Sequence, residues 1–226
     1  MIITAAIAKG GTGKSTMLRA LASVASNRGY DVTIIDCDVG QHMRRWVDML
    51  EKNNTRPAGL NVVTALEADE IVAAAEEHNG DTNLVLIDTE GTTNDALMAG
   101  LYSADCVIIP IRYALDDVLS GCQIADNFVP LAQEQRERVL PAMFVVTQHS
   151  IIDDKANALA ELRQIIQENG TPIARTPLMN RMSYRDLQSG HTLYSFNKPD
   201  AKAIAESEAL FNNILAEFLA AMERAA

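Results

Sequence analysis

Eight consecutive residues, Lys9-Gly10-Gly11-Thr12-Gly13-Lys14-Ser15-Thr16, carry the densest chemistry in the chain. Glycines at this spacing let the backbone curl so that successive N–H groups face one anion, and a helix opening directly after them adds its positive end. The residues that follow complete a phosphate site. Lys14 is placed to reach the β- and γ-phosphates, Ser15 to offer its hydroxyl to Mg²⁺, and Thr16 to lie near the α-phosphate. A glycine-rich turn that only packed a strand on a helix would not need G-K-[ST] in that register. Gly10, Gly11, Thr12 and Gly13 are therefore candidate cradling residues for a nucleotide, with ATP and Mg²⁺ as the expected ligands. The generic pattern begins with a glycine where this chain has Ala8, so the loop is a variant.

Two further acidic positions stand at the ends of apolar runs. Asp36-Cys37-Asp38 follows Val32-Thr33-Ile34-Ile35, and period-2 alternation points both carboxylates the same way as the strand emerges. One or both could instead cap the helix that starts near Gln41. The run Asn83-Leu84-Val85-Leu86-Ile87-Asp88 ends in an acid that reads as Walker B, with Asp88 expected to hold Mg²⁺ through water. Strands ending in Asp are common, and the reading gains its force from the glycine loop upstream.

These residues need a scaffold that brings the ends of several strands to one edge. Short Val- and Ile-rich runs alternate with stretches of helical period, which is the pattern of βαβ units. Strands are predicted at 2–8, 32–36, 60–64, 83–88, 105–111, 142–147 and 172–175. Helices are predicted at 14–28, 41–52, 67–78, 93–101, 116–136, 154–169 and 201–223, with 177–200 irregular. The expected fold is α/β: a doubly wound, mostly parallel sheet with helices on both faces. One domain over 1–226 is expected, because 226 residues match one α/β core and no linker interrupts them. In such sheets ligands bind beyond the carboxyl ends of the strands.

Composition excludes several classes. Three cysteines, Cys37, Cys106 and Cys122, have no C-x-x-C spacing, so neither a disulfide framework nor a zinc site is encoded, and they read as buried thiols. No apolar run approaches the ~20 residues of a spanning helix, and residues 1–8 read as a strand rather than a signal peptide. A cytoplasmic protein that does not use a membrane is expected. With 19 Lys+Arg against 30 Asp+Glu and a formal charge of −11, the whole surface does not suit nucleic acid. Any DNA contact must use a local patch. Arg175, Arg181, Arg185, Lys198 and Lys202 lie between Arg175 and Ala205 against only Asp186 and Asp200, and Arg175, Arg185, Lys198 and Lys202 are the candidate DNA contacts.

The string K-G-G-x-G-K-[ST]-T resembles the deviant Walker A motif of the ParA/MinD superfamily. Asp36-Cys37-Asp38 resembles its D-x-D, Asp88 with Gly91 its D-x-x-G, and Trp46 falls at the spacing of a tryptophan in small ParF-like partition ATPases and in the ParA-like ATPases of T-DNA transfer systems. Ala104 to Pro110 with Leu115-Asp116 resembles the strand and turn beside the nucleotide. Pro177, Leu178, Arg181, Tyr184, Arg185 and Gly190 resemble a late loop that borders the adenine. The resemblance covers roughly residues 1–195. Val39-Gly40 departs from the Pro-Gln of several small ParA-type ATPases, and Glu90 stands where a proline or small residue is usual.

What the resemblance implies is a slow ATPase working as a dimer–monomer switch. Lys9 is then the signature lysine that crosses to the partner's nucleotide, Asp38 orients the attacking water, and Lys9, Lys14 and Asp38 form the catalytic set. An ATP-dependent homodimer, an adaptor or ParB-like partner, and nonspecific DNA are the implied partners, with DNA partition or positioning as the function. Positioning of a protein cargo, a MinD-like role and a metabolic P-loop enzyme remain alternatives. The last helix carries Glu206, Glu208, Glu217 and Glu223 beside its apolar stripe, which disfavours anionic lipid and favours packing on the domain.

Overall fold

The computed structural model describes residues 1–80, 83–93, 95–150, 153 and 158–225. Its centre is a six-stranded parallel sheet. The strands are β1 (Ile2–Ala5), β2 (Asp31–Asp36), β3 (Leu60–Thr64), β4 (Asn83–Asp88), β5 (Cys106–Ile111) and β6 (Ala142–Val146), in the order β3-β2-β4-β1-β5-β6. Parallel neighbours cannot be joined by tight turns, so helices carry the crossovers. These are α1 (Lys14–Asn27), α2 (His42–Lys52), α3 (Ala68–His78), α4 (Asp95–Ser103), α5 (Leu115–Gln123), α6 (Val129–Arg136) and α7 (Ala158–Asn169), followed by α8 (Met182–Asp186) and α9 (Ala201–Ala225).

Strand alternation sends side chains to two cores. Ile3, Ile34 and Leu86 pack with α1, α2 and α9 through Met17, Leu21, Trp46, Leu210 and Phe211. On the opposite face Ile35, Val85 and Ile87 meet Ile71 of α3 and Ala96 and Ala99 of α4, while Ile109 meets Val118 and Leu162. Both faces are covered, as near-continuous apolar strands require. The stripe of α9 is used in the same way: Phe211 and Ile214 are buried, and Ile204, Leu215 and Phe218 pack partly against that core, leaving Met222 exposed. Among the described residues no helix is long and apolar enough to cross a membrane. Cys37 and Cys106 are buried as expected, while Cys122 is only half-buried.

Three sequence expectations need correction. The segment 172–175 is not a strand: Ile173 makes one isolated bridge to Phe144, with Phe144 N–H donating to the Pro172 carbonyl and Ala174 N–H to the Phe144 carbonyl, and the next bond to β6 comes only from Leu178 N–H to the Val146 carbonyl. The single helix expected over 116–136 is α5 and α6 separated by a π-helical turn at Ile124–Phe128. Pro130 at the start of α6 cannot donate to the α ladder, and the widened turn precedes it. The segment 177–200 holds α8 and a 3₁₀ turn at Leu187–Ser189 rather than irregular chain throughout. Residues 154–157 of the expected helix 154–169 lie outside the described residues.

Candidate functional site

Register sets the site. Asp88 pairs across the sheet with Ala5 on one side and Asp36 on the other, so the carboxyl ends of β1, β4 and β2 finish level with one another. The loop leaving β1 rises over that edge into α1. Gly11 (φ 80°) and Gly13 (φ 87°) occupy the left-handed region that side-chain-bearing residues rarely adopt, which lets the loop turn over its own N–H groups. Three neighbours brace it. Thr147 Oγ1 donates to the Thr12 carbonyl, Gln148 Nε2 donates to the Gly11 carbonyl at 3.0 Å, and a Cβ on Gly91 would come within 3.0 Å of Gly10 N and the Lys9 carbonyl carbon.

Residues Lys9 to Thr16 line a cleft of about 340 Å³, whose other walls are Arg19, Asp38, His42, Gly91, Gln148 and Gln188. A smaller hollow of about 170 Å³ shares Gly13, Thr16 and Gln148 with it. Met17, Leu178 and Tyr184 make this hollow more apolar, and Arg181 and Arg185 close it. A polar cleft continuous with an apolar one suits a phosphate chain joined to a base. Leu178, Arg181, Tyr184 and Arg185 stand where the late-loop expectation put them, whereas Pro177 and Gly190 do not line the hollow. Gly190 (φ 83°) instead packs on the Met49 backbone, and its carbonyl accepts from Asn53 and Thr55.

Lys14 is 8% exposed, and its Nζ bonds Asp88 Oδ1 at 2.7 Å as well as the Thr89 carbonyl. The two residues expected to serve nucleotide and metal are thus an ion pair. Asp88 is fully buried, and its Oδ2 has no partner among the described residues. That orphaned oxygen, with the Ser15 hydroxyl in the cleft wall, fits Mg²⁺, which takes one or two protein oxygens plus phosphates and water. No cluster of three or more His, Cys, Asp or Glu able to hold a metal occurs among the described residues.

The two acids of Asp36-Cys37-Asp38 part company. Asp36 is fully buried and caps α2, its Oδ2 accepting from Met43 N (2.9 Å) and Arg44 N (2.8 Å) and its Oδ1 from Asp38 N. Gln41, with φ 48°, supplies no side-chain cap, so Asp36 satisfies the orphan donors in its place. Burial pushes the Asp36 carboxyl above its ordinary value, and the Asp88 charge adds to this while the three N–H groups oppose it. Asp38 takes an Asx turn, accepting from Gly40 N at 2.7 Å, and faces the cleft. The expectation that both carboxylates point together is therefore corrected. Capping won at Asp36 because two helix N–H groups lie within its reach.

Lys9 reaches away from its own loop. Its Nζ lies 2.7 Å from Asp117 Oδ1 and 3.8 Å from Asp116 Oδ2, both in the first turn of α5. Asp117 is fully buried and also takes Arg112 Nε at 2.5 Å. Burial alone would raise its carboxyl, but the hydrogen bonds and charges of Arg112 and Lys9 outweigh that and hold it below the usual range.

Of the candidate DNA contacts, Arg185, Lys198 and Lys202 are exposed. The Ser183 Oγ to Asp200 Oδ2 bond (2.9 Å) ties α8, which carries Arg185, to the start of α9, which carries Lys202. Arg175 is elsewhere: its N–H bonds Asn213 Oδ1, and eleven residues of helix from Lys202 to Asn213 span about 16 Å. Arg181, left out of the candidate contacts, is spent on an ion pair with Glu206.

Sequence reasoning missed Arg19, His42, Asp117, Thr147, Gln148 and Gln188. Arg19 was findable, since a charge in the apolar run of α1 is anomalous, and it is only 7% exposed. Thr147 and Gln148 follow β6 at the edge where ligands bind, but only contact geometry singles them out.

The chain is similar to known proteins along most of its length. Residues 3–191 match the family model described as the CobQ/CobB/MinD/ParA nucleotide binding domain. The chain is 27% identical over 212 residues to Protein ParA of Rhizobium radiobacter, covering 92% of this chain and 93% of that protein. It is 23% identical over 196 residues to Protein virC1 of Rhizobium rhizogenes, covering 82% and 79%. Among solved structures, a plasmid partition protein of Borrelia burgdorferi B31 bound to AMPPNP superposes with a TM-score of 0.69 at 19% identity, over 95% of this chain and 98% of that one.

Proposed function

The chain belongs to the CobQ/CobB/MinD/ParA nucleotide binding domain family, and on that premise we propose that it hydrolyses ATP to ADP and phosphate as a dimerisation switch that partitions or positions DNA with a partner protein. One observation carries the reading: the glycine loop, Lys14, Asp88 and Asp38 meet at one strand edge, at the polar end of a cleft whose other end is apolar. All 226 residues would work as one domain in the cytoplasm.

On this reading the loop N–H groups and Lys14 take the phosphates, which requires Lys14 to leave Asp88. Mg²⁺, when bound, would neutralise the β- and γ-phosphate charge, held by the Ser15 hydroxyl and by Asp88 through water. Thr16 flanks the α-phosphate, and Leu178 and Tyr184 cover the base. Asp38 orients a water for in-line attack: its oxygen bonds to the γ-phosphorus as the bond to the β–γ bridging oxygen breaks. That electron pair leaves on ADP, one water proton stays on the phosphate, and the other is released. Positioning supplies most of such catalysis, so turnover is slow and partner-stimulated. Lys9, already turned away from its own loop, would leave Asp117 to meet the nucleotide of a second copy.

The relative named ParA and the partition protein of Borrelia burgdorferi support DNA partition over protein cargo. The patch of Arg185, Lys198 and Lys202 supplies a local basic surface on an acidic chain, and dimerisation doubles it. Phosphate release is the test, measured with Mg-ATP, with and without random duplex DNA and a co-purified partner, in wild type and Lys14→Ala. No release above the variant in any condition defeats the ATPase reading. A mobility shift at low and moderate salt, ATP against ADP, tests the DNA reading. Binding in ATP that is lost in Arg185→Ala/Lys198→Ala/Lys202→Ala supports it, and equal binding in all cases redirects the function to a protein cargo.

A further inference from the structure

His42 is a titratable side chain in the phosphate cleft for which the ATPase reading has no use. It opens α2 and stands in the cleft wall beside Asp38. Gly40 shows how close the two are. A Cβ built there would lie 2.9 Å from Asp38 Oδ1 and 2.9 Å from His42 Nε2, so the two polar atoms flank one point and are at most twice that distance apart. No direct hydrogen bond joins them, and a donor and an acceptor within that limit are close enough for one water to bridge.

The ring's other nitrogen decides what Nε2 offers. Arg45 NH2 lies 3.0 Å from His42 Nδ1. A guanidinium has donors and no acceptor, so Nδ1 must present its lone pair, and the ring proton of the neutral imidazole resides on Nε2. The same Arg45 nitrogen donates to the Gly40 carbonyl, which ties the ring to the turn that carries Asp38. From the other side Arg19 NH2 donates to the His42 carbonyl at 2.9 Å. Arg19 lies on α1 one turn beyond Ser15 and is 7% exposed, with its Nε buried and without a partner among the described residues. The ring is therefore held to the Asp38 turn by Arg45, while Arg19 ties the backbone of His42 to α1.

We propose that His42 is a second water-positioning residue: its Nε2–H donates a hydrogen bond to the oxygen of the attacking water while Asp38 accepts a hydrogen bond from one of that water's O–H groups. The proposal rests on the ATPase reading. A donor and an acceptor at two points fix both the place and the orientation of one water, which a lone carboxylate cannot do. One lone pair of the water meets Nε2–H and the other remains for the γ-phosphorus. Bond making, bond breaking and proton release are those already given for hydrolysis.

Three variants and a spectrum test this. His42→Phe removes the donor, and turnover is expected to fall about 10- to 100-fold with ATP affinity within about threefold of wild type. His42→Gln puts an amide N–H near the place of Nε2 and recovers a large part of the loss. His42→Asn puts it near Nδ1, facing Arg45, and does not. Nitrogen-15 spectra of the histidine rings in the nucleotide-free protein should show His42 protonated at Nε2 alone. Turnover in His42→Phe equal to wild type, no advantage of Gln over Asn, or a loss confined to affinity overturns the proposal while the ATPase reading stands. An Nδ1–H tautomer overturns it whether or not ATP is hydrolysed. Wild-type protein that releases no phosphate overturns both readings.

Discussion

Replacing Lys14 with methionine keeps a straight side chain in place and removes one charge from a buried pair. Lys14 Nζ and Asp88 Oδ1 are 2.7 Å apart, with the two side chains 8% and 0% exposed. At an effective dielectric of about 20 that separation corresponds to roughly 6 kcal/mol of attraction, part of which repays desolvation of the two groups. What the variant suffers is the loss of one side of the pair: Asp88 is fully buried with Oδ2 already unpartnered, and breaking one side of such a pair costs about 3–5 kcal/mol. That is a large share of the 5–15 kcal/mol that holds a typical domain together. Urea unfolding of the nucleotide-free proteins measures it. Lys14→Met should lose about 3–5 kcal/mol, whereas Lys14→Met/Asp88→Asn, with both charges gone, should recover at least about 2 kcal/mol of that, giving a positive coupling in the double-mutant cycle. ATP binding should stay lost in both. A Lys14→Met protein within about 1 kcal/mol of wild type, or a double variant no more stable than the single one, would refute the claim that the resting site stores its lysine on Asp88.

Asp38→Ala should bind ATP with near wild-type affinity and lose turnover at least about 100-fold, read by single-turnover phosphate release; unchanged turnover would show that this acid does not meet the water. Gly91→Ala should weaken ATP binding about tenfold with stability changed by less than about 1 kcal/mol, because its methyl, 3.0 Å from the Lys9–Gly10 backbone, must push the loop by a few tenths of an ångström. Unaltered affinity in a fluorescent-nucleotide titration would count against that close approach. Asp117 is held below the usual carboxylate range, so its contribution is complete above the unfolded value of about 3.9 and fades as pH falls through the lower folded value. Asp117→Asn should therefore be less stable than wild type by about 2 kcal/mol at pH 7, a figure reduced because Lys9 and Arg112 are partly exposed, and the difference should shrink below about pH 4. A gap that stays constant from pH 7 to pH 3 in urea titrations would sink this assignment.

The order of chemistry along this chain was legible before any coordinates. A glycine loop between a strand and a helix, an acid closing β2 and another closing β4 are local patterns, and local patterns follow from period, turn chemistry and the reach of a few residues. The crossover helices and the parallel sheet followed from the same periodicity. Elements failed where local pattern was overridden: Pro130 split a helix, and the chain after Ala174 left β6 after one bridge. Partner choice was not legible at all. Asp36 and Asp38 are alike in sequence terms, and only the arrival of α2's N–H groups over the end of β2 made one a buried cap and left the other in the cleft. Lys9 found Asp117, Lys14 found Asp88, and Arg19 found the turn before α2 across separations of 108, 74 and 23 residues. A side chain's charge and length are written in the chain, but what it meets depends on where the sheet's register and the helices' packing bring distant backbone, and that is decided by the three-dimensional fold alone.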